Sequence, residues 1–186
     1  MKFESGNSGS IITYKGITPK IHLSCFICEG VRIIGDVEIG EDSSIWYNVV
    51  IRGDVHYIRI GKRCNIQDLA MLHVTNGRFP LNLGDEVSIA HSAAIHGCTI
   101  EDKALIGIGA KVLDGATVGE ASLIGAGAVV REGFSVPPGT LAAGVPARII
   151  RDLTPQELER VTSTAEHYVD YVKDYRNSLN NQEKYI

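Results

Sequence analysis

The sequence predicts an all-β fold, a parallel coil of triangular section, followed by one C-terminal α-helix. Two observations carry the prediction. An aliphatic residue returns about every six positions between Ile21 and Val130, and beyond residue 150 the apolar spacing becomes helical. A period of six is neither the 3.6 of a helix nor the two of a simple strand. It suits a short strand plus a corner, repeated three times per turn.

The aliphatic series runs Ile21, Ile27, Ile33, Ile39, Ile45, Ile51; Ile60, Ile66, Leu72; Leu83, Ile89, Ile95; Ile100, Ile106, Val112; Val118, Ile124, Val130. These positions group into about six coils of three, a prism of roughly 29 Å at 4.8 Å per coil. Four residues after most of them stands a smaller inward residue, among them Cys25, Val31, Val49, Val55, Cys64, Ala93, Thr99 and Ala104. Glycines at 35, 40, 61, 84, 107, 119 and 125 fall where corners need a permissive backbone. Three extra residues between Ile51 and Ile60, and five between Leu72 and Leu83 around "VTNGRFPLN", are expected to loop out. The pattern resembles the left-handed parallel β-helix of hexapeptide-repeat proteins.

The chain divides into an N-terminal segment (1–16), the prism (17–150) and a helical segment (151–186). Thr154 is a capping residue, Pro155 suits the first helical position, and Glu157 three after the cap completes a capping box. Leu158, Val161, Ala165, Tyr168, Val169, Val172 and Tyr175 give an apolar stripe at helical spacing, so the helix should lie along a prism, its own or a neighbour's.

A net charge of −4 supplies no basic stripe for nucleic acid or an anionic membrane. No stretch approaches the roughly eighteen apolar residues that span a bilayer. Four cysteines do not make a disulfide framework. The expectation is a soluble, untargeted, cytoplasmic protein whose partners are small solutes or other proteins.

The repeat converts spacing into geometry. His73 follows Leu72 and His96 follows Ile95, both third members of a coil. Removing the five-residue insertion leaves one full coil between them, so they should stack at one corner, close enough to share a metal ion. His91 lies two after Ile89 and belongs to a different corner. A neighbouring chain about a threefold axis could bring its His91 to that pair, giving three imidazoles with an open fourth position, as in catalytic zinc sites. Arg52 should lie under His73 and His96, with Asp54 two beyond it. Asp68 should lie under His91, with Gln67 beside it, so that Arg52 and Asp68 pair across the interface.

The motifs "NVVIRGDV", "NIQDLAMLHV", "IAHSAAIHGCTIEDKALIGIGA" and "VPPGTLAAGVPARIIRDLTPQEL" together resemble the γ-class carbonic anhydrases and their bacterial relatives, over about residues 17–157. The resemblance implies a homotrimer with metal sites at subunit interfaces. Its ligands would be His73, His91 and His96, and its metal Zn2+, with Fe2+ as the alternative. It implies interface salt-bridge roles for Arg52, Asp54 and Asp68, and places Gln67 and Asn65 beside the metal-bound solvent. Tyr168, in "EHYVDY", is matched to a tyrosine that the C-terminal helix supplies. The implied reaction is reversible hydration of carbon dioxide to bicarbonate by metal-bound hydroxide, a lyase activity.

Two departures bear on turnover. Val55 stands where active members carry a glutamate after the "RGD" aspartate, and the loop after His73 holds no acid. Two other readings therefore stay open: a hexapeptide acyltransferase for a small substrate, and a non-catalytic metal-binding trimeric module. Cys25 and Cys28 are read as a buried small residue beside a surface thiol, and Cys98 as a softer ligand ranked below His91. His22, His56 and His167 share neither column nor motif and are read as structural.

Overall fold

The computed structural model describes residues 8–182, so the ends of the segments 1–16 and 151–186 lie outside the described residues. The chain is a parallel β-solenoid of about seven turns, and the hexapeptide spacing fits the left-handed coil. One face stacks Ile21, Ile39, Ile60, Leu83, Ile100, Val118 and Val136 in register. The second stacks Ile27, Ile45, Ile66, Ile89, Ile106, Ile124 and Ala142. The third stacks Ile11, Ile33, Ile51, Leu72, Ile95, Val112 and Val130. Most of these side chains are fully buried and fill the prism's axis.

The coil is thus longer than the six-fold count. Val136 and Ala142 add rungs at one end, and Ser10–Ile12 pairs with Arg32–Ile34 to add one at the other. The series stopped at Val130, one hexad short of Val136; Ala142 is a weaker aliphatic signal, and Ile11 stands outside the spacing.

Other expectations are corrected. The three residues inserted after Ile51 do not leave the prism: Val50–Ile60 is one continuous strand, with a register shift opposite Gly35 and Val37. Val55 consequently leaves the inward register, which Ile58 occupies, and is only partly buried against the core. The hexad from Ile95 to Ile100 is one residue short, so Cys98 rather than Thr99 turns inward. Cys28 is no surface thiol: at 2 % exposure it begins the buried column Cys28, Trp46, Gln67.

The corner glycines act mainly by leaving room. A Cβ on Gly40 would meet the Gly61 carbonyl at 2.7 Å, and one on Gly61 the Gly84 carbonyl oxygen at 2.4 Å. The left-handed backbone falls instead three residues after an aliphatic, at Asp42, Asn48, Arg63, Leu69, Glu86, Ser92, Lys103 and Ala121.

The helix Pro155–Gln182 lies along its own prism. It starts beside the last rung, where Leu153 N–H donates to Gly139 O, and descends to the first, where Arg176 Nη2 donates to Ser24 O at 2.8 Å. The capping box forms: Glu157 N–H donates to Thr154 Oγ1, and Thr154 N–H donates to Glu157 Oε2. Val161, Ala165 and Val172 are buried beneath it. Trp46 anchors it, edge-on to Tyr168 and Tyr175 at centroid separations of 5.5 and 5.0 Å.

Candidate metal centre

Met71–His73 and Ala94–His96 are adjacent rungs of the third face, and His73 pairs directly with His96. The residue following a buried aliphatic must point outward. Both imidazoles therefore leave the prism at the same corner, with His73 Nδ1 3.0 Å from His96 Nε2. Arg52 lies one rung below, since Ile51 pairs with Leu72.

Each imidazole of this pair is held at its other nitrogen by a carboxylate. Asp54 Oδ1 is 3.0 Å from His73 Nε2, and Arg52 grips the second Asp54 oxygen. Asp114 Oδ1 is 2.6 Å from His96 Nδ1, and Thr75 Oγ1 donates to Asp114 Oδ2 at 2.6 Å. Burial alone would raise both carboxyls. Hydrogen bonds from Arg52 and His73 to Asp54, and from Thr75 and His96 to Asp114, outweigh it and hold both below the usual aspartate value. Burial pushes His73 the other way, disfavouring its charged form.

His91 occupies the corner after the second face, separated from His96 by the intervening third-face strand. Its Nδ1 is 2.8 Å from Asp68 Oδ2, so it shares the same arrangement with a third carboxylate. Gln67, beside Asp68, donates from Nε2 to Asn65 Oδ1, and Asn65 donates from Nδ2 to Ser88 Oγ; all three are buried. Tyr168 faces this side too. Its hydroxyl is pushed up to about 12, first by burial and then by the charge of Asp68.

The sequence-derived residues therefore divide into two groups on two corners of one chain. His73, His96, Arg52 and Asp54 share one; His91, Asp68, Gln67, Asn65 and Tyr168 share the other. Among the described residues, no three His, Cys, Asp or Glu side chains of one chain converge to hold a metal. Within the chain, the partners of Arg52 and Asp68 are Asp54 and His91. Cys98 is buried, with its thiol pushed up by burial, and points away from the histidines as no ligand would.

Thr75 and Asp114 were not foreseen. The signal for Asp114 was available: Val112 stacks on Ile95, so the residues after Val112 must lie over His96. The short hexad containing Gly97 obscured it, and Thr75 sits in an insertion the repeat cannot place.

The donor set fits a divalent metal. If His73 Nε2–H and His96 Nδ1–H donate to their aspartates, the two facing nitrogens, 3.0 Å apart, both present lone pairs and repel unless a cation lies between them. Two imidazole nitrogens on tetrahedral zinc at 2.0–2.1 Å lie roughly 3.3 Å apart, close to this spacing. Ligating histidines typically donate their remaining N–H to a carboxylate or carbonyl.

No described helix is long and apolar enough to cross a membrane. The bacterial transferase hexapeptide family (six repeats) matches residues 18–53 and 97–132. A probable carbonic anhydrase of Methanocaldococcus jannaschii is 56 % identical over 143 residues, 77 % of this chain and 89 % of the relative. The mitochondrial gamma carbonic anhydrase 2 of Arabidopsis thaliana is 39 % identical over 82 % of this chain; the chain spans only 57 % of that longer relative. A solved hexapeptide transferase family protein from Anaplasma phagocytophilum superposes with a TM-score of 0.84 at 38 % identity, over 89 % of this chain and 97 % of that one. On fold, repeat and relatives of this similarity, the chain belongs to the γ-carbonic-anhydrase family of hexapeptide-repeat proteins.

Proposed function

We propose that the protein is a metal-dependent lyase that reversibly hydrates carbon dioxide to bicarbonate. It works as a homotrimer in which His73 and His96 of one chain and His91 of the next hold Zn2+ or Fe2+. The observation that carries this reading is that each of the three histidines has a carboxylate on one ring nitrogen, Asp54, Asp68 or Asp114, and keeps the other for a ligand. The split of the half-sites between two corners supports closure by a second chain. Bound by these three imidazoles, a divalent metal would supply Lewis-acid activation of water near neutral pH.

The chain's own residues do the rest. Asp54 and Asp114 fix ring orientation and tautomer at His73 and His96, and Arg52 fixes Asp54. Asn65 holds the Gln67 amide, so that Gln67 can orient substrate or solvent next to His91. Tyr168 stays protonated at neutral pH and serves as a hydrogen-bond donor or packing group rather than as a base. Proton release is the weak step, because Val55 and the turn at 74–80 offer no carboxylate to carry the proton to buffer.

Stopped-flow carbon dioxide hydration, with the zinc and the anaerobic ferrous forms, tests the reading against a His91→Ala control. A metal-dependent rate above that control supports it. No such rate, with one tightly held metal per chain, would favour a non-catalytic metal-carrying trimer. Metal-free activity with an acyl-coenzyme A would favour the transferase chemistry suggested by the name of the Anaplasma relative.

A further inference from the structure

We propose that Thr75 and Asp114 form a positioning relay that sets the tautomer and ring orientation of His96. The proposal rests on the metal-centre reading for its purpose, but its geometry is independent of it. Thr75 Oγ1 donates to Asp114 Oδ2, and Asp114 Oδ1 lies 2.6 Å from His96 Nδ1. A carboxylate can only accept, so His96 carries its proton on Nδ1 and turns the Nε2 lone pair toward His73.

The relay joins three separate coils. Thr75 belongs to the tight turn after His73, closed by Thr75 N–H to Phe79 O at 3.0 Å and Phe79 N–H to Thr75 O at 3.2 Å. Phe79 packs over Gly97 and Gly115, so the turn is seated against the rungs that carry His96 and Asp114. Gly97 is required: a Cβ there would meet Asp114 Oδ1 at 2.3 Å and Phe79 Cβ at 2.8 Å, on a backbone with φ of +50°. Arg52 holds Asp54 by charge, whereas a neutral hydroxyl reaching across 39 residues of sequence holds Asp114. Among the described residues no lysine or arginine forms an ion pair with Asp114, although the charge of Arg78 acts on it from farther away, and the carboxylate remains a strong acceptor for His96.

The test compares wild type with Thr75→Val, Thr75→Ser and Asp114→Asn, after thermal unfolding shows that each folds. Long-range 15N–1H NMR on the metal-free protein reads the His96 tautomer, and chelator competition reads zinc affinity. Wild type and Thr75→Ser should show the Nδ1–H tautomer. Thr75→Val and Asp114→Asn should show a tautomer mixture and a zinc affinity lower by roughly 10- to 100-fold. An unchanged tautomer and unchanged zinc affinity in Thr75→Val would overturn the relay. Wild type that takes up no zinc, yet shows a fixed tautomer that Thr75→Val releases, would uphold the relay while sinking the metal centre.

Discussion

His73 Nδ1 and His96 Nε2 face each other at 3.0 Å, and each ring is anchored behind by its own aspartate. Register produces this contact. The two residues sit on adjacent rungs one position past buried aliphatics, so the core packing of Leu72 and Ile95 fixes where the imidazoles emerge. Stability of the coil and geometry of the site are thus coupled.

That coupling is sharpest at Gly97. Gly97→Ala adds a Cβ into Asp114 and Phe79 on a left-handed backbone. We expect a loss of about 1–3 kcal/mol in denaturant unfolding. Metal affinity should also fall, because Asp114 must swing off His96. An alanine variant with wild-type stability and affinity would show that the turn yields freely.

The helix depends on Trp46, which is 5 % exposed and lies between Phe26, Tyr168 and Tyr175, with its indole N–H donated to Ser44 Oγ. Trp46→Ala should cost about 3–5 kcal/mol and expose Tyr168 and Tyr175 to solvent. Hydrogen exchange across 155–176 should rise far more than exchange in the coil. Equal protection in both proteins would mean that other contacts dock the helix.

Acid should loosen the same helix at its start. Arg151 binds both oxygens of Glu157, and the Thr154 backbone and hydroxyl add two more hydrogen bonds, holding this carboxyl well below its ordinary 4.5. A depressed folded value gives stability that is complete above that ordinary value and is lost as pH falls toward the folded one. Wild type should be more stable than Glu157→Gln at pH 7, and the gap should begin to narrow below about pH 4.5 and shrink steadily with further acid. Urea unfolding of both proteins across pH 3–7 reads it; a gap independent of pH would assign the effect to shape rather than charge.

The sequence made the coil legible because its period is set by the core: Ile45, Ile51 and Ile66 recur where side chains must point inward. The same count put His96 over His73 and Asp68 beside His91, since both follow from register alone. Legibility stopped where the count changes. The continuous strand through Val55, the inward Cys98 and the Thr75 turn all lie at hexads longer or shorter than six, where chain geometry rather than pattern decides. Cys28 was misjudged because the sequence did not show that its outward column lies buried with Trp46 and Gln67. Within the chain Arg52 pairs with Asp54 and Asp68 with His91, contacts between outward residues that the repeat placed on a column but could not join.

The central claim is that one metal site is shared by two chains, and mixing complementary variants tests it directly. His91→Ala keeps one half-site and His96→Ala the other, so each alone should lose tight metal. When the two are unfolded and refolded together at equal ratio, random closure of a symmetric trimer should restore about a quarter of the wild-type sites, measured as metal per chain after gel filtration. Mixed trimers that form but bind no more metal than the separate variants would contradict a shared site.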